Sequence, residues 1–140
     1  MCIKHVMEEV RDTVSVYYNS LYRHGVDGKR RVQVPAKWRP SSPDVEFTLI
    51  VWPKSVHGPC LRVLPPEQMA KLMQDINGMS NDDSNKVVLK RFIGSESVQV
   101  ALDKAGRICL PETMAKLAGI KKDAVLVGLL DRFEIWSPDR

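Results

Sequence analysis

The chain has 140 residues, 44% apolar and 27% charged, which suits one ordinary domain with a core and excludes a disordered polyelectrolyte. Eight glycines and nine prolines exclude collagen-like and Pro-rich classes, and no apolar run approaches the ~18 residues of a membrane span. The net charge of +4 is unevenly placed: between Tyr22 and Pro40, six basic residues (Arg23, Lys29, Arg30, Arg31, Lys37 and Arg39) face one acid, Asp27, a pattern typical of a polyanion binder.

Residues 1–16 read as an N-terminal extension. Met1 to Glu9 lacks the apolar stretch of a secretory signal, while Ile3, Val6, Met7, Val10 and Val14 fall at helical spacing. Ser15 to Leu21 then reads as an edge strand. The segment Val26-Asp27-Gly28-Lys29-Arg30-Arg31-Val32-Gln33-Val34-Pro35 reads as strand, tight polar turn, strand and proline. Gly28 would supply the backbone freedom of that turn. Pro35-Ala36-Lys37-Trp38-Arg39 opens a helix that Pro40 stops. Phe47 to Trp52 and Cys60 to Leu64 follow as a strand pair across a Gly-Pro turn.

Pro66 to Ile76 is predicted helical, with Met69, Leu72, Met73 and Ile76 on one stripe. Asn77-Gly78 ends it, Ser80 to Asn85 links, and Lys86 to Ile93 reads as a second short helix. Leu102-Asp103-Lys104-Ala105-Gly106-Arg107-Ile108-Cys109-Leu110-Pro111 then repeats the first turn, with Asp, Arg and Pro recurring at a constant offset of 76. Gly106 plays the flexible part here. Pro111 to Gly119 is a short helix with proline in its first turn and Gly119 just past its end. Ala124 to Leu130 and Phe133 to Trp136 form the closing strand pair across Asp131-Arg132.

The chain is therefore predicted to be α+β, mainly β. It has a first repeat over 17–65, a helical connection over 66–93 and a second repeat over 94–140. Each repeat is a β-hairpin, short helix, β-hairpin unit. A unit of ~50–60 residues is marginal alone and would bury its apolar face against its twin. One interlocked barrel with the two turns related by a pseudo-twofold axis follows.

Lysine and arginine beside a turn neutralise DNA phosphates, and a two-stranded ribbon fits the major groove. Lys29, Arg30, Lys37, Arg39 and Lys104 are assigned to phosphates, with Arg23 and His24 as further contacts on the incoming strand. Arg31 and Arg107 either touch bases or phosphates or orient their turns through the aspartate four residues earlier. Asp27 and Asp103 read as turn-structuring, since an acid facing DNA is repulsive. The second repeat is less basic, which implies an asymmetric grip, mostly through the first. Trp38, Trp52 and Trp136 read as core or subunit interface. Leu129-Leu130 and the Met69/Met73 stripe read by default as intramolecular core, with subunit contact as the alternative.

No catalytic constellation is found. His57 and Cys60 are close in sequence, but no orienting acid is evident and Cys60 looks like packing. His5, His24 and His57 lack metal-ligand spacing, and no cofactor is called for. Cys2, Cys60 and Cys109 make an odd set that fits a reducing cytosol.

The sequence resembles the AbrB/SpoVT-type swapped-hairpin barrel (double-psi-like), marked by an Asp-x-x-x-Arg turn, an alternating strand and proline. Two such turns in one chain narrow the resemblance to the MraZ family. It also rests on His57-Gly58-Pro59-Cys60-Leu61, Pro66-Glu67, Asn81 ahead of Lys90-Arg91-Phe92, and Val127-Gly128 with Phe133 to Trp136. The resemblance implies a sequence-specific DNA-binding repressor of the division and cell-wall gene cluster, its own gene included. It further implies binding to short promoter direct repeats as a ring-shaped homo-oligomer in the cytoplasm, associated with the nucleoid. No membrane or small-molecule substrate is implied. Alternatives are an antitoxin-type AbrB module of the MazE kind, or a non-catalytic assembly protein binding an acidic partner. Two departures stand out. The first turn lacks the glycine that the second has at Gly106, and family members usually carry a further C-terminal helix.

Overall fold

A computed structural model of the chain describes residues 17–53 and 56–140. The N-terminal extension, 1–16, with its helical spacing and the start of the expected edge strand, lies outside the described residues. The elements are β1 (Leu21–Gly25), β2 (Arg31–Gln33), a 3-10 turn (Ala36–Trp38), β3 (Glu46–Trp52), β4 (Cys60–Leu64), α1 (Pro66–Asn77), α2 (Ser84–Glu96), β5 (Ser97–Ala101), β6 (Arg107–Cys109), α3 (Glu112–Ala118), β7 (Asp123–Gly128) and β8 (Phe133–Trp136). The fold is mixed α+β and mainly β. Among the described residues, no helix is long and apolar enough to cross a membrane.

The strands form a six-stranded antiparallel sheet, β1-β7-β8-β4-β3-β5, and a two-stranded ribbon, β2-β6. At the 76-residue offset β1 corresponds to β5 and β3 to β7, and β4 corresponds to β8 in strand order, so the sheet order reads the same from either end. The repeats exchange strands. β1 pairs with β7 from Leu21 opposite Val127 to Gly25 opposite Asp123, and β5 pairs with β3.

Two expectations are corrected here. The strands flanking each Asp-to-Arg turn do not pair as a local hairpin: β1 and β5 lie in the six-stranded sheet and β2 and β6 pair with each other, leaving only turn hydrogen bonds and the Val26–Val32 bridge across the first bend. The ladder also does not close into a barrel, because β1 and β5 remain the two sheet edges. The cause is local. The turn bends the chain off the sheet, and the three residues of β2 pair with the equivalent strand β6 of the other repeat.

Alternation along the strands sets the layers. Phe47, Leu49 and Val51 of β3, Leu61 and Val63 of β4, and Phe133 and Ile135 of β8 face the main core. That core is completed by Val32 and Val34, Ile108 and Leu110, Trp38, and Met114, Ala115 and Ala118 of α3. Trp38 is fully buried, with the rings of Tyr22 and Phe133 at 5.2 and 5.0 Å. The opposite sheet face, through Ile50 and Leu64, carries α1 and α2 by way of Met69, Leu72, Ile76, Leu89, Phe92 and Ile93.

The helix termini follow local chemistry. Pro66 opens α1. The Asp83 carboxylate accepts from Asn85 N–H at 2.9 Å, which starts α2 at Ser84, two residues before the expected start at Lys86. Gly119, at φ 71°, ends α3, with Ile120 N–H donating to Ala115 C=O at 2.9 Å. Strand β7 stops at Gly128, and Leu129 and Leu130 lie exposed rather than in the core; Met73 is exposed as well.

Candidate functional site

The two Asp-to-Arg turns are built alike. In the first, Asp27 Oδ1 accepts from the backbone N–H of Lys29 (3.0 Å) and Arg31 (2.8 Å), while Oδ2 accepts from Arg31 Nε at 2.6 Å. In the second, Asp103 Oδ1 accepts from the N–H of Ala105 and Arg107, and Oδ2 from Arg107 Nε, all at 2.9 Å. Each carboxylate thus holds two orphan amides and one guanidinium. The backbone N–H of Arg31 holds the Asp27 carboxyl below the ordinary carboxylate range, aided by the Arg31 guanidinium and opposed by desolvation. Asp103 is lowered in the same way, first by the backbone N–H of Arg107.

The residue before the final arginine is left-handed in both turns: φ is 60° at Arg30 and 76° at Gly106. The missing glycine therefore does not change the turn. Gly28, which the sequence suggested as the flexible position, lies outside the left-handed region, and a Cβ there would meet nothing within 4 Å. Lys104 stands at the equivalent place in the second turn.

The ribbon brings the turns together. Arg31 pairs with Cys109, Val32 with Ile108 and Gln33 with Arg107. Leu110 N–H donates to Arg30 C=O at 2.9 Å, and Val34 N–H donates to Gly106 C=O at 3.0 Å. Gln33 Nε2 donates to Ala105 C=O at 2.8 Å, and Arg107 Nη1 lies 3.8 Å from Asp27 Oδ2, an ion pair from one repeat to the other. Arg31 and Arg107 are each 32% exposed and their aspartates 35%, so both pairs sit in equivalent, accessible environments.

Arg30 Nε donates to Leu110 C=O at 3.0 Å, and Arg39 Nε donates to Val34 C=O at 2.9 Å. Lys29, Lys104 and Lys37 are exposed. The fold thus gathers Lys29, Arg30, Arg31, Arg39, Lys104 and Arg107 about one ribbon. Lys37 lies beside this set on the 3-10 turn. Arg23 stands apart on β1, its Nη2 3.7 Å from Asp123 Oδ2 of β7. His24, half-buried on the same strand, has its Nε2 buried without a hydrogen-bond partner among the described residues. The link from Asp27 to Arg107, the Gln33 contact and the reach of Arg39 were not legible in the sequence, which carries no signal for which strands pair across the repeats.

Cys60 is fully buried, and burial, with Glu134 beside it, pushes its thiol up to about 12, the opposite of an activated nucleophile. Its neighbour Glu134 accepts from Arg62 Nε at 3.0 Å and Trp136 Nε1 at 3.1 Å, and the Arg62 guanidinium lies 3.8 Å over the Trp52 ring. Among the described residues, no group of three or more His, Cys, Asp or Glu side chains is arranged to hold a metal ion.

These features define a duplicated, strand-exchanged α+β protein that displays paired acid-clamped basic turns on one side. Comparison with known proteins gives the family. Residues 93–140 match a family model described as "MraZ protein, putative antitoxin-like". The chain is 35% identical over 119 residues to the transcriptional regulator MraZ of Rickettsia rickettsii (strain Sheila Smith), covering 85% of this chain and 80% of that protein. It is 32% identical over 119 residues, at the same coverage, to the transcriptional regulator MraZ of Clostridium tetani (strain Massachusetts / E88). The chain belongs to the MraZ family.

Proposed function

We propose that this chain is a sequence-specific DNA-binding transcriptional repressor of the division and cell-wall gene cluster, its own gene included. It acts without catalysis, in the cytoplasm and on the nucleoid, as a ring-like homo-oligomer on short promoter direct repeats. The observation that carries the reading is the juxtaposition of two like-built basic turns across the β2-β6 ribbon, tied by the Asp27–Arg107 ion pair. The names of its relatives, transcriptional regulators, support it from outside.

Lys29, Arg30, Lys37, Arg39 and Lys104 neutralise phosphates, and Arg23 adds a peripheral contact. Asp27 and Asp103 hold Arg31 and Arg107 in fixed orientation. Their remaining N–H groups then meet a guanine edge or a phosphate without a further ordering cost. One chain makes few contacts, and several copies on successive repeats multiply them. The words "antitoxin-like" in the family description favour one second reading, an antitoxin-type DNA-binding module.

A gel-shift titration in rising salt tests the proposal, comparing duplex from upstream of its own gene with random duplex. Binding should prefer the upstream duplex and weaken with a log–log slope of about −0.9 per phosphate neutralised. Salt-insensitive binding, or equal affinity for both duplexes, counts against it.

A further inference from the structure

We propose that Arg39 supplies, over the second turn, the guanidinium that Arg30 supplies over the first, giving the interface two equivalent phosphate clamps drawn from inequivalent sequence positions. The ligand, a DNA backbone phosphate, rests on the DNA-binding reading above; the equivalence rests on geometry alone.

Under the 76-residue offset Arg30 corresponds to Gly106, Leu110 to Val34 and Arg39 to Ala115. The backbone obeys the symmetry, since Arg30 and Gly106 are both left-handed and each carbonyl accepts from the matching amide of the other repeat. The side chains do not, because Gly106 has none. Its place is taken from elsewhere: a Cβ on Gly106 would fall 2.5 Å from Arg39 Cζ and 2.8 Å from Arg39 Cδ. The Arg39 guanidinium thus stands where a side chain from position 106 would begin. Its Nε reaches Val34 C=O at 2.9 Å, as Arg30 Nε reaches Leu110 C=O at 3.0 Å. Val34 and Leu110 are themselves equivalent, so the two guanidiniums cap matching carbonyls.

The sequence explains how this arises. In the second repeat α3 continues past position 115, and Ala115 is buried in the core. In the first, Pro40 ends the helix after one turn and leaves Arg39 extended, at φ −77° and ψ 136°, with its side chain directed over the other repeat's turn. Both arginines are half-buried, and their terminal nitrogens take no hydrogen-bond partner among the described residues. A planar fork held through Nε presents those donors to a phosphate in fixed geometry. A cavity of about 290 Å³ beside Arg39, also lined by Ser41, Ser42, Asp103 and Lys104, leaves room for one. The arginine clamps are therefore symmetric, although the lysines around them are not: Lys29 corresponds to Ala105 and Lys104 to Gly28.

Relocating the guanidinium tests this. Arg39→Ala, Arg30→Ala and the double variant Arg39→Ala/Gly106→Arg are compared with the unaltered chain by melting temperature and by the salt dependence of binding to fluorescent upstream duplex. Each single variant should lower the log–log slope by the same amount, about 0.9 per chain. Gly106→Arg should restore the slope in the Arg39→Ala background, while its melting temperature stays near that of Arg39→Ala because the left-handed backbone at 106 offsets the regained hydrogen bond. Unequal losses of slope in the two single variants, or a folded double variant whose slope is no steeper than that of Arg39→Ala, overturn the proposal. Should the double variant not fold, the comparison of Arg30→Ala with Arg39→Ala decides. If the unaltered chain shows no salt-dependent binding at all, the DNA reading fails and the phosphate role with it. The equivalence is then judged by the melting temperatures.

Discussion

Substituting alanine at the two turn glycines should have opposite consequences. At Gly106 the backbone is left-handed at φ 76°, which costs an L side chain about 1–2 kcal/mol. The new Cβ would also strike Arg39 and displace it from Val34 C=O, forfeiting a hydrogen bond worth about 1 kcal/mol. Together these predict about 2–3 kcal/mol of destabilisation, or roughly 6–9 °C in melting temperature for a domain of this size. Gly28 has neither problem, since it is not left-handed and an added Cβ meets nothing within 4 Å. Gly28→Ala should be neutral or stabilising by about 0.5 kcal/mol, through reduced freedom of the unfolded chain. Urea unfolding of both variants measures the contrast. Repeating Gly106→Ala in an Arg39→Ala background should lower its cost to the backbone share, about 1–2 kcal/mol. Equal effects at Gly28 and Gly106, or strict additivity of Gly106→Ala with Arg39→Ala, would refute the placement of Arg39 over the second turn.

Three further outcomes follow from the same contacts. The Asp27 and Asp103 carboxyls lie below their ordinary value of 3.8 in the folded chain, so they stabilise above that pH and the contribution is lost as pH falls through their lowered values. Asp27→Asn/Asp103→Asn should flatten the stability-versus-pH curve below about pH 4, as followed by denaturant midpoints. Lys29→Ala/Lys104→Ala should reduce the log–log salt slope of DNA binding by about 1.8, with a melting temperature almost unchanged, because both side chains are exposed. Glu134→Ala removes the acceptor of both Arg62 and Trp136 and leaves a half-buried guanidinium unpaired; calorimetry should record a loss of about 2–3 kcal/mol.

The duplication was legible in the sequence because Asp, Arg and Pro recur at a fixed spacing, and β3, β4, β7 and β8 were found from their apolar residues; β5 was not anticipated, and the edge strand expected over Ser15 to Leu21 begins only at Leu21. Strand partnership was not legible. Alternation at Val32 and Val34 says that one face is buried and nothing of what pairs with it, and the turn signal at Asp27 to Arg31 favours a local hairpin. The structure instead sends β1 to β7 and β2 to β6. Within the site, the aspartates and arginines were visible as residue types. The sign of φ at Arg30 was hidden, because the sequence places glycine at 28 and an arginine where the left-handed bend falls. Arg39 could be listed among the cations but not seated over Gly106, a contact across 67 positions that depends on the strand exchange. The exposed Leu129 and Leu130 escaped for a similar reason: an unbroken apolar run does not reveal where Gly128 ends the strand.

Hydrogen–deuterium exchange of the full chain, with and without upstream duplex, addresses the central claim most directly, that both turns form one DNA-facing surface. The account predicts simultaneous protection of peptides spanning 27–34 and 103–110, with α1 and α2 unchanged. Protection confined to the helical face, or to one turn with the other unaffected, would contradict it.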